Sequence, residues 1–251
     1  MIVLKSKREL ELMRRSGALA AEVLGELQRL VRAGVTTGEL DRRAGELIEA
    51  RGARSAFLGY HGYPGQICVS VDEEVVHGIG SSRRLKEGEI VSLDVGVVTD
   101  GYIGDTAATD PVGKVSPAKA RLIRVTEKSL RAGIGQARAG NRLFDISAAI
   151  QGVAEAAGFS VVRDFVGHGV GAEMHEDPQV PNFGRAGTGI RLQAGMVLAL
   201  EPMLTMGGYE VEILEDRWTV VTRDRSPAAH AEHTVAITES GPEILTWAKT
   251  R

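Results

Sequence analysis

The sequence predicts one α/β or α+β domain over residues 1–251, assembled from two related halves that face each other. Three observations predict it. A chain of 251 residues with 43% hydrophobic content is long enough for one large mixed unit and buries a sizeable core without staples. Helical and strand patterns alternate along it with no linker and no charged tail. A short pattern also occurs twice: Gly88-Glu-Ile-Val-Ser-Leu-Asp94 and Gly195-Met-Val-Leu-Ala-Leu-Glu201 each run from a glycine through an apolar strand to a carboxylate. A second acid with a small, β-rich run follows each, as Asp105-Thr-Ala-Ala-Thr and as Glu232-His-Thr-Val-Ala-Ile. Such a repeat marks two half-domains, and their meeting would bring four carboxylates to one interface, which is costly without cations.

Residues 6–33 read as an amphipathic helix opened by a capping box, Ser6 with Glu9. A second helix follows Thr36 and Thr37 and ends near Gly52. Gly59 to Gly65 (GYHGYPG) is turn chemistry, and Ile67 to Val71 alternates like a strand. Strands from Glu89 to Val98 and from Tyr102 to Thr109 carry Asp94 and Asp105. Ser116-Pro117 start a long helix running to about Arg138, since proline is tolerated in the first turn. A further helix spans Leu143 to Ala157 and stops at Gly158; short strands and glycine-rich loops follow.

Composition narrows the function classes. Thirty Lys and Arg against 33 Asp and Glu leave a net charge of -3, which excludes the basic footprint of a nucleic-acid binder. One cysteine, Cys68, excludes an internal disulfide framework and fits a reducing compartment. No apolar run approaches the roughly 18 residues of a membrane span. The start, MIVLKSKRELELM, lacks a signal-peptide hydrophobic region. The expectation is a cytoplasmic monomer with no membrane and no specific nucleic-acid partner.

Asp94 in IVSLDVGVV and Glu201 in MVLALEPML each sit among apolar residues, where an unpaired ionised carboxylate is expensive. Either acid alone reads more simply as a side chain turned to solvent or paired with an arginine. Two in matched contexts, with two more acids downstream, favour a shared site. His168 in FVGHGVG lies in a glycine-flanked turn that leaves its imidazole free to protrude, and His175 follows in EMHEDPQV. Four strand-borne carboxylates and one histidine suit divalent first-row metals, and paired ions roughly 3.5–4 Å apart trap a bridging water of lowered pKa. His77, in VVHGIG, is a further candidate. His61, His230 and His233 read as ordinary polar residues, and Cys68 as a small buried apolar one rather than a nucleophile. The glycines of GRAGTGIR do not open a helix after a strand, so no phosphate loop is read there.

The strings GYHGYPGQIC, VHGIG, SLDVG, IGDTA, GHGVG, MHEDPQV, ALEPML and AEHTVAIT, in this order from about residue 55 to 238, resemble the type I methionine aminopeptidases. The resemblance implies the pita-bread metallopeptidase fold, with two pseudo-symmetric half-domains and an antiparallel sheet covered by helices. It implies two divalent ions (Mn, Fe, Co or Zn). Asp94 would chelate the second, His168 and Glu201 the first, and Asp105 and Glu232 would bridge both. His175 would donate to the scissile carbonyl and its oxyanion, His77 would contact the peptide beyond that bond and assist proton movement, and Glu201 would shuttle a proton. Phe57, Tyr60, Tyr63, Cys68, Met174 and Trp218 would line a methionine pocket. Phe57 and Met174 depart from the common bacterial pattern, in which a cysteine and a phenylalanine stand there. The substrates implied are nascent polypeptide N-termini met at the ribosome, with a small second residue. Glu201 and Glu232 lie too close for the long helical insertion of type II enzymes, and the chain starts almost at the catalytic unit, so the short bacterial form is expected.

Overall fold

The computed structural model describes residues 2–247; Met1 and residues 248–251, the two ends of the 1–251 span, lie outside the described residues. The chain runs twice through a pair of helices followed by strands. First come α1 (Lys7–Gln28), α2 (Thr37–Glu49), β1 (Arg54–Ser55), β2 (Cys68–Val71), β3 (Glu74–Val76), β4 (Ile90–Thr99) and β5 (Tyr102–Pro111). Then come α3 (Pro117–Gln136), α4 (Leu143–Ala156), β6 (Ser160–Val161), β7 (Gly167–Gly169), β8 (Glu176–Val180), β9 (Val197–Leu200) and β10 (Met203–Thr205). The last strands are β11 (Val211–Ile213), β12 (Val220–Thr222), β13 (Ala228–His230), β14 (Glu232–Thr238) and β15 (Gly241–Ile244).

The helices begin where their caps dictate. Glu9 N–H donates to Ser6 Oγ at 3.3 Å while Ser6 N–H donates back to Glu9 Oε2 at 2.7 Å. Thr36 and Glu39 repeat the box at α2, and Ser116 caps α3 with Pro117 in its first turn. The first helix stops at Gln28, short of the expected Ala33. Leu30 and Val31 N–H groups turn back to Leu27 and Gln28, and Gly34 N–H is drawn to Leu85 O at 2.8 Å, so a tertiary contact ends what the periodicity would have continued. The third helix likewise ends at Gln136, where Ala137 leaves helical torsion angles.

The main sheet runs β1-β4-β5-β14-β9-β7-β8, with β2 also on β4 and β15 also on β14; its ladders are antiparallel. Strands β5 and β14, one from each half, are neighbours at its centre. Register then fixes the site. Asp94 and Glu232 both lie opposite Ala107, one on either side of β5, so they share a face with Asp105 two residues away. His168 lies opposite Ala199, two residues before Glu201, and Ala199 lies opposite Thr234, two residues after Glu232. All five residues therefore project from the same face. The other face is apolar: Val91, Leu93, Val95 and Val97 pack beneath α1 and α2, and Leu198, Leu200, Val235 and Ile237 beneath α3 and α4. Two smaller sheets, β13-β10-β6 and β11-β12-β3, complete the strand set.

Helix α1 lies so close to β5 that an added Cβ on Gly104 would meet Ser16 O and Gly17 N at 2.5 Å. Backbone atoms cannot give way cheaply there. Gly104→Ala should therefore destabilise by about 1–3 kcal/mol, the usual cost of overpacking, and lower the thermal midpoint by several degrees; an unchanged midpoint would mean that α1 is not seated on β5 as described.

Candidate metal centre

Asp105, His168 and Glu232 each offer a ligand atom within 4.8 Å of the others, and all three are buried. His168 Nε2 is 3.8 Å from Asp105 Oδ2 and 3.4 Å from Glu201 Oε1. Asp94, half-buried, lines the same cavity. The ligand strands are held by their own hydroxyls: Thr234 Oγ1 donates to Asp105 O at 2.8 Å and Thr106 Oγ1 to Glu232 O at 2.9 Å. Asn182 Nδ2 donates to Glu201 O at 3.0 Å, fixing the residue just past β9.

The electrostatics ask for cations. Burial, reinforced by Asp105, pushes Asp94 well above the usual carboxylate range. Glu201 and Glu232 rise well above it for the same reason, burial first and neighbouring carboxylates second. Burial also raises Asp105. Buried oxygens of Asp94 (Oδ1), Asp105 (Oδ1) and Glu232 (Oε1) have no hydrogen-bond partner, and no lysine or arginine lines the cavity among the described residues. His168 Nδ1 donates to Gly169 O at 2.9 Å, so the lone pair sits on Nε2. Burial holds this imidazole neutral, its pKa lowered to about 4. A lone pair aimed at two carboxylates is repulsive unless a cation stands between them. The donor set fits divalent metal.

The cavity measures about 230 Å³, below the ~300–1,000 Å³ of drug-sized ligand sites, and suits one side chain and a short backbone. Every residue expected from the sequence lines it: Phe57, Tyr60, Tyr63, Cys68, His77, Asp94, Asp105, His168, Met174, His175, Glu201, Trp218 and Glu232. Tyr63 donates to Gly78 O at 2.8 Å and meets Trp218 edge-on at 5.1 Å. Tyr60 Oη and His175 Nδ1 are 2.7 Å apart, and the His168 and His175 rings lie 4.3 Å apart. His77 holds a positive φ of 61°, uncommon for a bulky residue and found at sites that aim a side chain. Its pKa is lowered to about 4 by burial and then by His175. Cys68 is buried and its thiol pushed up by that burial, so it is an apolar wall atom and no thiolate.

Two expectations need correction. His168 does not stand on a turn but in β7, between β8 and β9. Its glycine neighbours are required by close approach: a Cβ on Gly167 would meet Ala199 O and Val180 O, and one on Gly169 would meet Asp177. His230 is not an ordinary polar residue. It is 2% exposed, its Nε2 has no partner, and that atom lies 4.0 Å from Glu201 Oε2. Locally only its place two residues before Glu232 hints at this; its burial beside Glu201 comes from the pairing of β13 with β10. His61, Val76, Phe165 and Val166 also line the cavity unanticipated; Phe165 meets the His77 ring edge-on at 5.6 Å. His233, by contrast, lies on the opposite face from Glu232 and bonds Thr246 Oγ1 at 2.9 Å.

Comparison with known proteins agrees with this geometry. The model of metallopeptidase family M24 matches residues 11–239. A methionine aminopeptidase of Clostridium perfringens is 53% identical over 249 residues, 99% of this chain and 100% of that protein. The crystal structure of methionine aminopeptidase from Rickettsia prowazekii superposes with a TM-score of 0.97 at 42% identity, covering 98% of this chain and 100% of that one. Prolidase from Pyrococcus furiosus shares the fold alone, at a TM-score of 0.81 and 21% identity over 99% of this chain and 66% of its own. The chain belongs to metallopeptidase family M24 and has its pita-bread fold. Within that family it is a metallo-hydrolase of the methionine aminopeptidase group.

Without metal, the raised carboxyl pKa values make the folded protein hold more protons than the unfolded chain, so its stability falls as pH climbs through them. The depressed histidines act only below their unfolded value of about 6.5 and are neutral in both states above it. Between about pH 6.5 and 8 the thermal midpoint of chelator-treated protein should therefore drop with rising pH. Added Mn²⁺ should raise the midpoint and flatten that slope, since a ligand of the native state stabilises by mass action; a flat profile without metal would contradict the charge burial described above.

Proposed function

We propose that the chain is a two-metal aminopeptidase of one catalytic domain, removing N-terminal methionine from nascent polypeptides when the second residue is small. The observation that carries this reading is one cavity uniting unpartnered buried carboxylate oxygens with an apolar wall of Phe57, Tyr63, Cys68, Met174 and Trp218. Asp94, Asp105, His168, Glu201 and Glu232 would hold two divalent cations, Mn, Fe, Co or Zn. Such ions activate water and polarise the scissile carbonyl.

The protein's own groups do the rest. Glu201, raised above the carboxylate range by burial, accepts a proton from the attacking water and passes it to the leaving amine. The Tyr60 hydroxyl, whose own ionisation burial disfavours, lies 2.7 Å from His175 Nδ1, and in this mechanism it is the donor. That leaves the His175 proton on Nε2, free to donate to the developing oxyanion. His77, kept neutral beside Phe165, bounds the space beyond the scissile bond and assists proton movement. The apolar wall excludes water and receives the thioether of the substrate. We further infer a cytoplasmic monomer that meets its substrates as they leave the ribosome and binds no specific nucleic acid; no helix among the described residues is long and apolar enough to cross a membrane.

His175→Ala should keep both metals yet lower kcat by about 10²–10³, the usual loss of one oxyanion donor; a metal-free variant would make His175 a ligand. In the same assays Met-Ala-Ser should be cleaved far better than Met-Leu-Ser or an X-Pro peptide, and equal rates would remove the claimed specificity. The two side chains that depart from the common pattern give a second check. Phe57 and Met174 share one buried cluster and one cavity, so their volumes compensate. Phe57→Cys should weaken discrimination of Met-Ala-Ser over Phe-Ala-Ser, and adding Met174→Phe should restore much of it. Additive effects on kcat/KM would show that the two walls do not cooperate.

A further inference from the structure

Lys5 sits on the short arm that precedes α1, with only 3% of its side chain exposed. A lysine this buried must have a partner. Its Nζ donates to Glu176 Oε2, a residue 171 positions away whose side chain is 14% exposed. The arm is itself fastened, since Lys5 N–H donates to Gly195 O at 2.7 Å.

Glu176 is the first residue of β8 and follows His175 directly. It closes a turn that starts at Gly171. Gly171 O accepts from Ile103 N–H at 2.9 Å, Gly171 N–H donates to Glu173 O at 3.2 Å, and Glu173 N–H donates to Glu176 Oε1 at 3.4 Å. The lysine lies across the top of this turn: a Cβ on Gly171 would meet Lys5 Cε at 2.5 Å and Nζ at 2.6 Å, and Glu176 Oε1 beside them. The turn carries Met174 and His175, which line the cavity. One oxygen of Glu176 thus ties the turn to itself, and the other ties it to the arm. Among the described residues, the Lys5 amine is the hydrogen-bond donor that joins the turn to the N-terminal segment.

We propose that Lys5 is a positioning residue for peptide hydrolysis: its ion pair with Glu176 sets the Gly171–Glu176 turn so that His175 and Met174 face the substrate. This rests on the reading of the cavity as the peptide site. Misplacing a reacting group by about 1 Å costs up to about 10²-fold in rate, so the clamp acts on kcat through His175 while touching no substrate atom.

The experiment compares Lys5→Met, Lys5→Arg and the double variant Lys5→Met/Glu176→Gln in the metal-loaded enzyme. The double variant removes the uncompensated buried charge that the first would leave, so a folded clamp-free protein is available whatever Lys5→Met does alone. With Met-Ala-Ser, the clamp-free protein should lose between about 10- and 10²-fold in kcat, with metal stoichiometry retained. Lys5→Arg should recover most of the rate. Hydrogen exchange of the 171–176 amides should quicken in the clamp-free protein. Placed in the His175→Ala background, the same changes should cost almost nothing further, because the two act as one unit. Unaltered exchange in the turn, an unchanged kcat, or a full extra loss on top of His175→Ala would each overturn the proposal. An unaffected turnover in His175→Ala alone would instead remove the cavity reading on which it rests, with the exchange result still reporting on the clamp.

Discussion

Mutual repulsion among buried carboxyl groups is the constraint from which the rest of this structure follows. Strands β5 and β14 bring Asp105 and Glu232 together at the centre of the sheet, and Asp94 and Glu201 join them from β4 and the end of β9. Burial raises all four. An arrangement so costly persists only where rigid elements enforce it, and it calls for compensating cations. The enforcement is visible: threonine hydroxyls pin the two central strands to each other, and the far face of the sheet is packed under four helices.

The carboxylate face and the helix face are consequences of one alternation. Moving β4 by one residue would put Leu93 or Val95 where Asp94 stands, and moving β9 would put Leu200 where Glu201 stands, so the apolar core specifies the site's register. The same coupling places the histidines. His168 can enter β7 only because Gly167 and Gly169 let three strands approach closely, and its tautomer is set by the neighbouring Gly169 carbonyl. On the opposite rim, the Tyr60 hydroxyl holds His175 by its Nδ1 at 2.7 Å. Proton positions in this cavity thus trace back to backbone geometry.

Much of this was legible in the sequence because chemistry-bearing residues sat in contexts that contradicted them. Asp94 and Glu201 were conspicuous as acids inside apolar strands, and the GEIVSLD and GMVLALE pattern gave the two halves. The capping boxes marked the helix starts, whereas the end of α1 depended on Leu85, a contact that local periodicity does not encode. His230 escaped because its importance comes from burial beside Glu201, through a strand pair rather than a string of neighbours. The Lys5–Glu176 pair was illegible for the same reason: 171 positions separate its members, and neither sits in an unusual local context.

The sheet order also bears on how the molecule comes into being. Strand β14 pairs with β5 and with β9, joining Asp105 to Glu232 across more than a hundred positions of chain. Contacts so distant in sequence form slowly, because the entropy of closing the intervening loop is spent before any pairing rewards it. During synthesis the helices and β4–β5 hairpin of the first half can assemble early, but the carboxyl cluster stays incomplete until Glu232 has emerged. The full carboxyl cluster is therefore absent for most of the chain's own translation, and its completion coincides with the closing of the central strand pair.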